Sequence, residues 1–209
     1  EGKIKAKKPS MIGNEKNNVE AAIKAEMYSH AQIIQQLKVN SMILPALRQM
    51  NLEHNIQEKD LYEIIKDNPF VPQGREKFYV KGFLKGFHGE FLTSIHILIP
   101  QIENSLRYIL YHYNCIISKL NEEGIQEEKT LNNLLYEFDD KLEEIFDKDT
   151  VFDLKGLLIN RFGSNLRNNM AHGLMNFNEF FSFNAIYLWW LIFRLCYIPN
   201  ITTGQISST

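Results

Sequence analysis

The chain has 209 residues, 44% of them apolar, enough to bury one large core or a core with an appendage. A formal charge of −2 excludes a protein that coats nucleic acid by bulk electrostatics. The balance is uneven, however: eleven acidic residues between Glu122 and Asp149 face three lysines, so that stretch carries −8 and the rest +6, enough for a local basic surface.

Residues Glu1 to Asn14 read as a basic lead-in, with Pro9 and Gly13 opposing any helix. No signal peptide is recognisable in this charged opening. The chain, which lacks a starting Met, reads as a processed form or the excised end of a longer protein. Asn18 is placed to cap a helix running to about Asn40, with Ala22, Ile23, Met27, Ile33, Ile34 and Leu37 on a helical stripe. Ser41 and Pro45 are expected to reset the direction before a short helix containing Leu47 and Met50, which ends ahead of a turn at Asn51 to Asn55. Glu58 to Lys66 predicts another short helix, stopped by Asn68-Pro69.

Pro69, Pro72 and Gly74 mark the best boundary in the chain. Residues 1–68 read as a lead-in and helical appendage, or the end of an upstream domain, and 69–209 as the main helical domain. Phe78 to Gly89 carries Gly82 and Gly86 on one helical face; each glycine costs about 1 kcal/mol of helix propensity, so close approach of a neighbouring backbone is expected there. Phe91 to Asn114 is the longest helical signal, with Pro100 inside it predicting a kink or a break. Glu103 and Arg107, four apart, fit a helical ion pair whose ordinary reading is a surface contact.

Cys115 to Leu120 is compatible with a helix extension or a short strand, and Gly124 marks a turn. Leu131 to Phe146 predicts one helix whose acidic outer face reads as solvated surface, and Val151 to Phe162 another. Asn178 to Ile198 predicts the last, and its apolar run Ala185 to Phe193 is ended by Arg194, well short of the roughly 20 residues a membrane span needs. Cys115 and Cys196 read as reduced thiols, weakly indicating a reducing, cytoplasmic interior. The fold class is all-α.

Few residues offer chemistry. His30, His54 and His112 lack a partner motif, and His88 and His96, eight apart, have no carboxylate spacing to complete a metal triad. No glycine-rich phosphate loop, nucleophile elbow or His-Glu-x-x-His pattern occurs, so neither metal nor cofactor is expected. What remains is Arg167-Asn168-Asn169-Met170-Ala171-His172-Gly173, between the Gly163-Ser164-Asn165 turn and the most apolar segment. A guanidinium is a fixed fork for phosphate oxygens, and an imidazole carries a proton near neutral pH. Asn168 adds an amide beside the arginine, and Gly173 is placed to close a helix and leave His172 on an exposed end. The plain alternative is a helix-end His bonded to a carbonyl beside an Arg in a surface ion pair. Positions five apart diverge by about 140° around a helix, so either the helix is distorted or a second copy completes the site.

This stretch resembles the Arg-Asn-x-x-x-His-Gly signature of a domain family of bacterial and eukaryotic proteins whose relatives include the endoplasmic reticulum membrane-associated RNA degradation protein. Pro100-Gln101-Ile102-Glu103-Asn104-Ser105-Leu106-Arg107 is similar to the family's Pro-Gln-x-Glu-x-x-x-Arg helix, and Val71-Pro72-Gln73-Gly74-Arg75-Glu76 with Gly82 and Gly86 also fits it. The resemblance covers about Pro69 to Ile198. The Arg-x-x-x-x-His element in an all-α domain is in turn similar to the HEPN superfamily (higher eukaryotes and prokaryotes nucleotide-binding). It implies a helical bundle that forms a homodimer with two motifs facing each other, and a metal-independent endoribonuclease of a defence, toxin or RNA-surveillance system.

On that reading RNA is the substrate, His172 moves protons, Arg167 stabilises phosphoryl charge and Asn168 orients the phosphate or the imidazole. Glu103 and Arg107 brace the site. A competing expectation is a non-catalytic module that binds RNA or nucleotide or mediates dimerisation. A third is a structural domain of a larger protein, in which the motif completes a helix-end hydrogen-bond network.

Overall fold

A computed structural model describes residues 16–120 and 124–197, so the basic lead-in and the end of the last expected helix at Ile198 lie outside the described residues. Among the described residues the chain is all-α apart from one small hairpin, and no helix there is long and apolar enough to cross a membrane.

Helix α1 (Lys16–Lys38) begins before Asn18, which lies inside it instead of capping it. The chain then passes through one π-helical turn (Val39–Ile43) straight into α2 (Leu44–Glu53), without the expected change of element at Ser41. In that wider turn the Leu44 N–H donates to the Val39 carbonyl, five residues back. A π turn spaces the backbone so that Pro45, which has no N–H, enters at the first turn of α2, where a missing donor costs little. Of the apolar stripe on α1 only Ala22 is buried. The face turned inward is Ala22, Ala25, Tyr28, Gln35 and Val39 instead, and Tyr28 stacks on Phe152 at 4.4 Å.

Helix α3 (Glu58–Ile65) is opened by a reciprocal cap between Gln57 and Asp60, and Asn68 stops the chain by donating to the carbonyls of Ile64 and Cys196. The boundary at Pro69 is not a break in packing: Val39, Ile43, Leu47, Leu61 and Ile65 share one core with Phe70, Tyr79 and the residues beyond. Helices α4 (Glu76–Phe87) and α5 (Phe91–His112) pack closely as a hairpin turned by Gly89 in the left-handed region. The two α4 glycines admit side chains, not a neighbouring backbone. A Cβ at Gly82 would meet Leu98, and one at Gly86 would meet the Trp189 indole at 2.0 Å.

The α5 helix is the axis of the core, with Ile95, Leu98, Ile102, Leu106 and Ile109 fully enclosed, and it runs unbroken through Pro100. After it, Ser118–Leu120 (β1) pairs antiparallel with Gln126–Glu128 (β2), so only the last three residues of the ambiguous Cys115 to Leu120 stretch form a strand and Cys115–Ile117 are irregular. The helix expected over Leu131 to Phe146 is two, α6 (Leu131–Glu137) and α7 (Asp139–Phe146), separated where Phe138 leaves helical geometry at φ −110°, ψ 29°. Helix α8 (Lys148–Leu158) starts earlier than Val151 because Asp147 caps it, accepting from the Thr150 N–H.

Helix α9 (Leu166–Ala171) carries the motif. The last expected helix is also divided, into a 3₁₀ turn (Phe177–Phe181) and α10 (Phe183–Tyr197), because Ser182 adopts an extended conformation. Its Trp189 is wedged between Phe87 and Phe91 in edge-to-face contacts.

Candidate functional site

The motif helix is short, and side chains of the preceding turn fix it. Gly163 lies so close to α8 that a Cβ there would stand 2.0 Å from the Gly156 carbonyl oxygen. That approach lets the Gly156 carbonyl accept from the Ser164 N–H at 2.8 Å. Gly156 is itself glycine because a Cβ would meet the Tyr28 ring of α1 at 2.7 Å. Tyr28, Gly156 and Gly163 thus form a stack that sets where α9 begins.

Asn165 then takes a left-handed conformation (φ 49°), which asparagine tolerates, and reverses the chain into α9. Two asparagines of the motif fold back on this turn. Asn168 Nδ2 donates to Asn165 Oδ1 at 2.7 Å, and Asn169 Nδ2 donates to the Ser164 carbonyl at 3.2 Å. Leu166 is buried and anchors the helix in the core.

Arg167 points toward α5. One of its terminal nitrogens donates to Glu103 Oε2 at 3.3 Å and the other to Asn168 Oδ1 at 3.2 Å. The other Glu103 oxygen accepts from Arg107 at 3.4 Å. Arg107 also donates to the Lys129 carbonyl at 3.0 Å and pairs with Glu128 through Nε at 2.5 Å, tying the hairpin to α5. Glu103 therefore links two guanidinium groups in a half-buried chain of alternating charge. The Glu103–Arg107 pair is not the freestanding surface contact its spacing allows. Two of the five N–H donors of Arg167 are used, and its side chain keeps 31% of its surface open.

His172 closes α9. Its N–H bonds the Asn168 carbonyl, Gly173 (φ 64°) bonds Met170, and Leu174 bonds Asn169. This pair of 5→2 and 6→1 bonds is a Schellman stop, which requires the left-handed residue that Gly173 supplies. The imidazole stands exposed, and neither ring nitrogen has a hydrogen-bond partner among the described residues.

The structure thus brings Arg167, Asn168, Glu103 and Arg107 together and leaves His172 apart at the helix end. Asn168 faces the arginine and Asn165, not the imidazole. No three His, Cys, Asp or Glu side chains converge as a metal site among the described residues.

Several contributors had no readable signal in the sequence. Glu128 and Lys129 reach the site because the hairpin folds onto α5. The Gly156–Gly163 contact joins two elements. Phe177 and Phe181 stand exposed with ring centroids 5.1 Å apart, a few residues beyond His172. Comparison of the chain with known protein families, with curated proteins and with solved structures returns no match.

Proposed function

We propose that the protein is a metal-independent endoribonuclease whose working groups are Arg167 and His172, in a helical bundle of HEPN type. The observation that carries the reading is a free, exposed imidazole on a glycine-stopped helix end, one and a half turns from an arginine held in place by Glu103 and Asn168 with donors to spare.

In the proposed reaction His172 takes the proton from an RNA 2′-hydroxyl as its oxygen attacks the adjacent phosphorus. The P–O5′ bond breaks, the 5′-oxygen takes a proton from a general acid, and the products are a 2′,3′-cyclic phosphate and a 5′-hydroxyl. Arg167 directs its unused N–H groups at the phosphoryl oxygens as charge builds on them. Glu103 and Asn168 prevent the guanidinium from swinging, and Arg107 holds Glu103. Because Arg167 and His172 leave α9 in different directions, the reading places a second copy opposite the first, its His172 serving as the acid. The site would then be a cytoplasmic homodimer's, acting in defence or RNA surveillance.

One observation favours a second reading. Arg167 is already paired with a carboxylate, as a structural arginine would be, and this suits a module that binds RNA or nucleotide without turnover. Incubation of the protein with structured and unstructured RNA in EDTA separates the two. The nuclease reading expects cutting that Arg167→Ala and His172→Ala each reduce by about 10²-fold or more; undiminished cutting by both variants, or RNA binding with no cutting, overturns it.

A further inference from the structure

Lys66, Lys85, Lys129, Lys141 and Lys155 each meet a carboxylate. Among the described residues Lys59, Lys77 and Lys81 have neither a carboxylate nor a ring partner, although all three are exposed and line one groove between α3 and α4. The acids nearby are committed elsewhere: Glu63 pairs with Lys66, Glu76 accepts from the Gly74 N–H, and Asp60 accepts from the Gln57 N–H. Glu58 is the remaining carboxylate of the lining, so three ammonium groups face one. Lys77 and Lys81 also stand four apart on α4, a spacing at which like charges oppose the helix. The local basic surface that the charge balance allows is therefore found here. The groove encloses about 470 Å³, and buried Val80 with the Tyr62 ring, 44% exposed, gives it an apolar lining.

We propose that this groove binds the backbone of a single-stranded RNA, with one base stacked on Tyr62. Four residues of helix set Lys77 and Lys81 about 6 Å apart along the axis, the separation of successive phosphates in an extended strand. Lys59 approaches the same phosphates from the α3 wall. An open aromatic ring beside ammonium groups is the combination that sequence-tolerant single-strand binding uses. A duplex keeps its bases stacked inward, so Tyr62 selects an unpaired strand. An acidic peptide would answer the lysines but offers no base-sized flat face to the ring.

The inference takes RNA as the ligand from the reading above and requires no turnover. The groove is separate from the Arg167–His172 site but shares an end of the fold with it. Tyr79 of α4 bonds Ser105 of α5 at 2.6 Å, so Lys77 and the Glu103 that holds Arg167 both lie at the end of the α4–α5 hairpin opposite its Gly89 turn.

Fluorescence anisotropy of the full chain with a labelled 12-nucleotide 2′-O-methyl oligouridylate in EDTA tests it. The blocked 2′-oxygen prevents the proposed cutting, so binding is read apart from cleavage. Replacing both Lys77 and Lys81 by alanine should weaken binding at least tenfold at low salt and lower the log–log salt slope by about 1.4. Tyr62→Ala should weaken it at least fivefold, and Tyr62→Phe, which keeps the ring, should restore it. Lys148→Ala, at an exposed lysine outside the groove, should leave the affinity within twofold. No binding by the parent chain, full affinity in the double lysine variant, or an equal loss in Lys148→Ala would each overturn the proposal. So would an indifferent Tyr62→Ala, or polyglutamate or ATP competing as well as the unlabelled strand. Binding of the blocked strand that needs the groove, with unmodified RNA left uncut, would support the groove while sinking the nuclease reading alone.

Discussion

Gly163→Ala probes how the fold positions the motif. The added Cβ would stand 2.0 Å from the Gly156 oxygen and 2.7 and 2.8 Å from its carbonyl carbon and Cα. All three are backbone atoms, so no side-chain rotation relieves the clash, and the 163–165 turn has to move outward by more than 1 Å to reach ordinary contact, ~3.4 Å or more. The Ser164 N–H bond to the Gly156 carbonyl is lost with it. Overpacking of this kind costs about 1–3 kcal/mol and the stranded carbonyl about 1 kcal/mol more. At about 2–4 °C per kcal/mol for a chain of this size, the melting temperature should fall by roughly 4–16 °C. Because α9 hangs from that turn, Arg167 shifts relative to Glu103, and displacement on the scale of 1 Å costs on the order of 10²-fold in rate. Gly173→Ala is the control. Its Cβ meets nothing within 4 Å, so only the left-handed φ is penalised, by about 1 kcal/mol. Thermal melting and RNA cleavage are read on both variants. A Gly163→Ala protein as stable and as active as the parent would refute the positioning argument.

Three further outcomes test the packing. Gly86→Ala drives a methyl group into the Trp189 indole and should destabilise by about 2–3 kcal/mol, seen as an earlier urea midpoint with altered tryptophan emission before unfolding. Lys155 is buried, paired with Asp139 and lies over the Tyr136 ring. Lys155→Met keeps the stem but strands the enclosed Asp139 Oδ1, so it should lose about as much as Lys155→Ala, about 2–4 kcal/mol; a Lys155→Met protein as stable as the parent would mean that the packing of the stem, not the charge, matters. Burial pushes the Cys196 thiol well above its ordinary range, while Cys115 is only half-buried. A thiol reagent at neutral pH should therefore titrate one cysteine in the native protein and two in urea, and two fast native thiols would contradict the enclosure of α10.

What the sequence conveyed was periodicity and stop signals. The α5 stripe, the α9 stop at Gly173 and the turn at Gly163-Ser164-Asn165 follow from local chemistry and stand where the pattern puts them. The division at Phe138 and the π turn at Val39–Ile43 depend on packing against distant elements, to which a window of neighbours is blind. The α1 stripe shows the limit most clearly. Ile23, Met27, Ile34 and Leu37 have the spacing of a core face, yet Ala25, Tyr28 and Gln35 are the ones buried, because small residues and a ring seated on Gly156 fit against α8 more closely. Within the site, Arg167, Asn168, His172 and Gly173 were legible as one word, and the helical spacing already separated arginine from imidazole. That Glu103 would span Arg107 and Arg167 needed α5 and α9 to meet across 64 residues of chain.

The most direct measurement is the chemical identity of the ends left on RNA. The account predicts that purified protein in EDTA leaves a 2′,3′-cyclic phosphate and a 5′-hydroxyl, that one 2′-deoxy residue at the cleavage point blocks the cut, and that His172→Ala abolishes both products. A 3′-hydroxyl with a 5′-phosphate, cleavage through the 2′-deoxy position, or cyclic-phosphate ends produced equally by His172→Ala would contradict it.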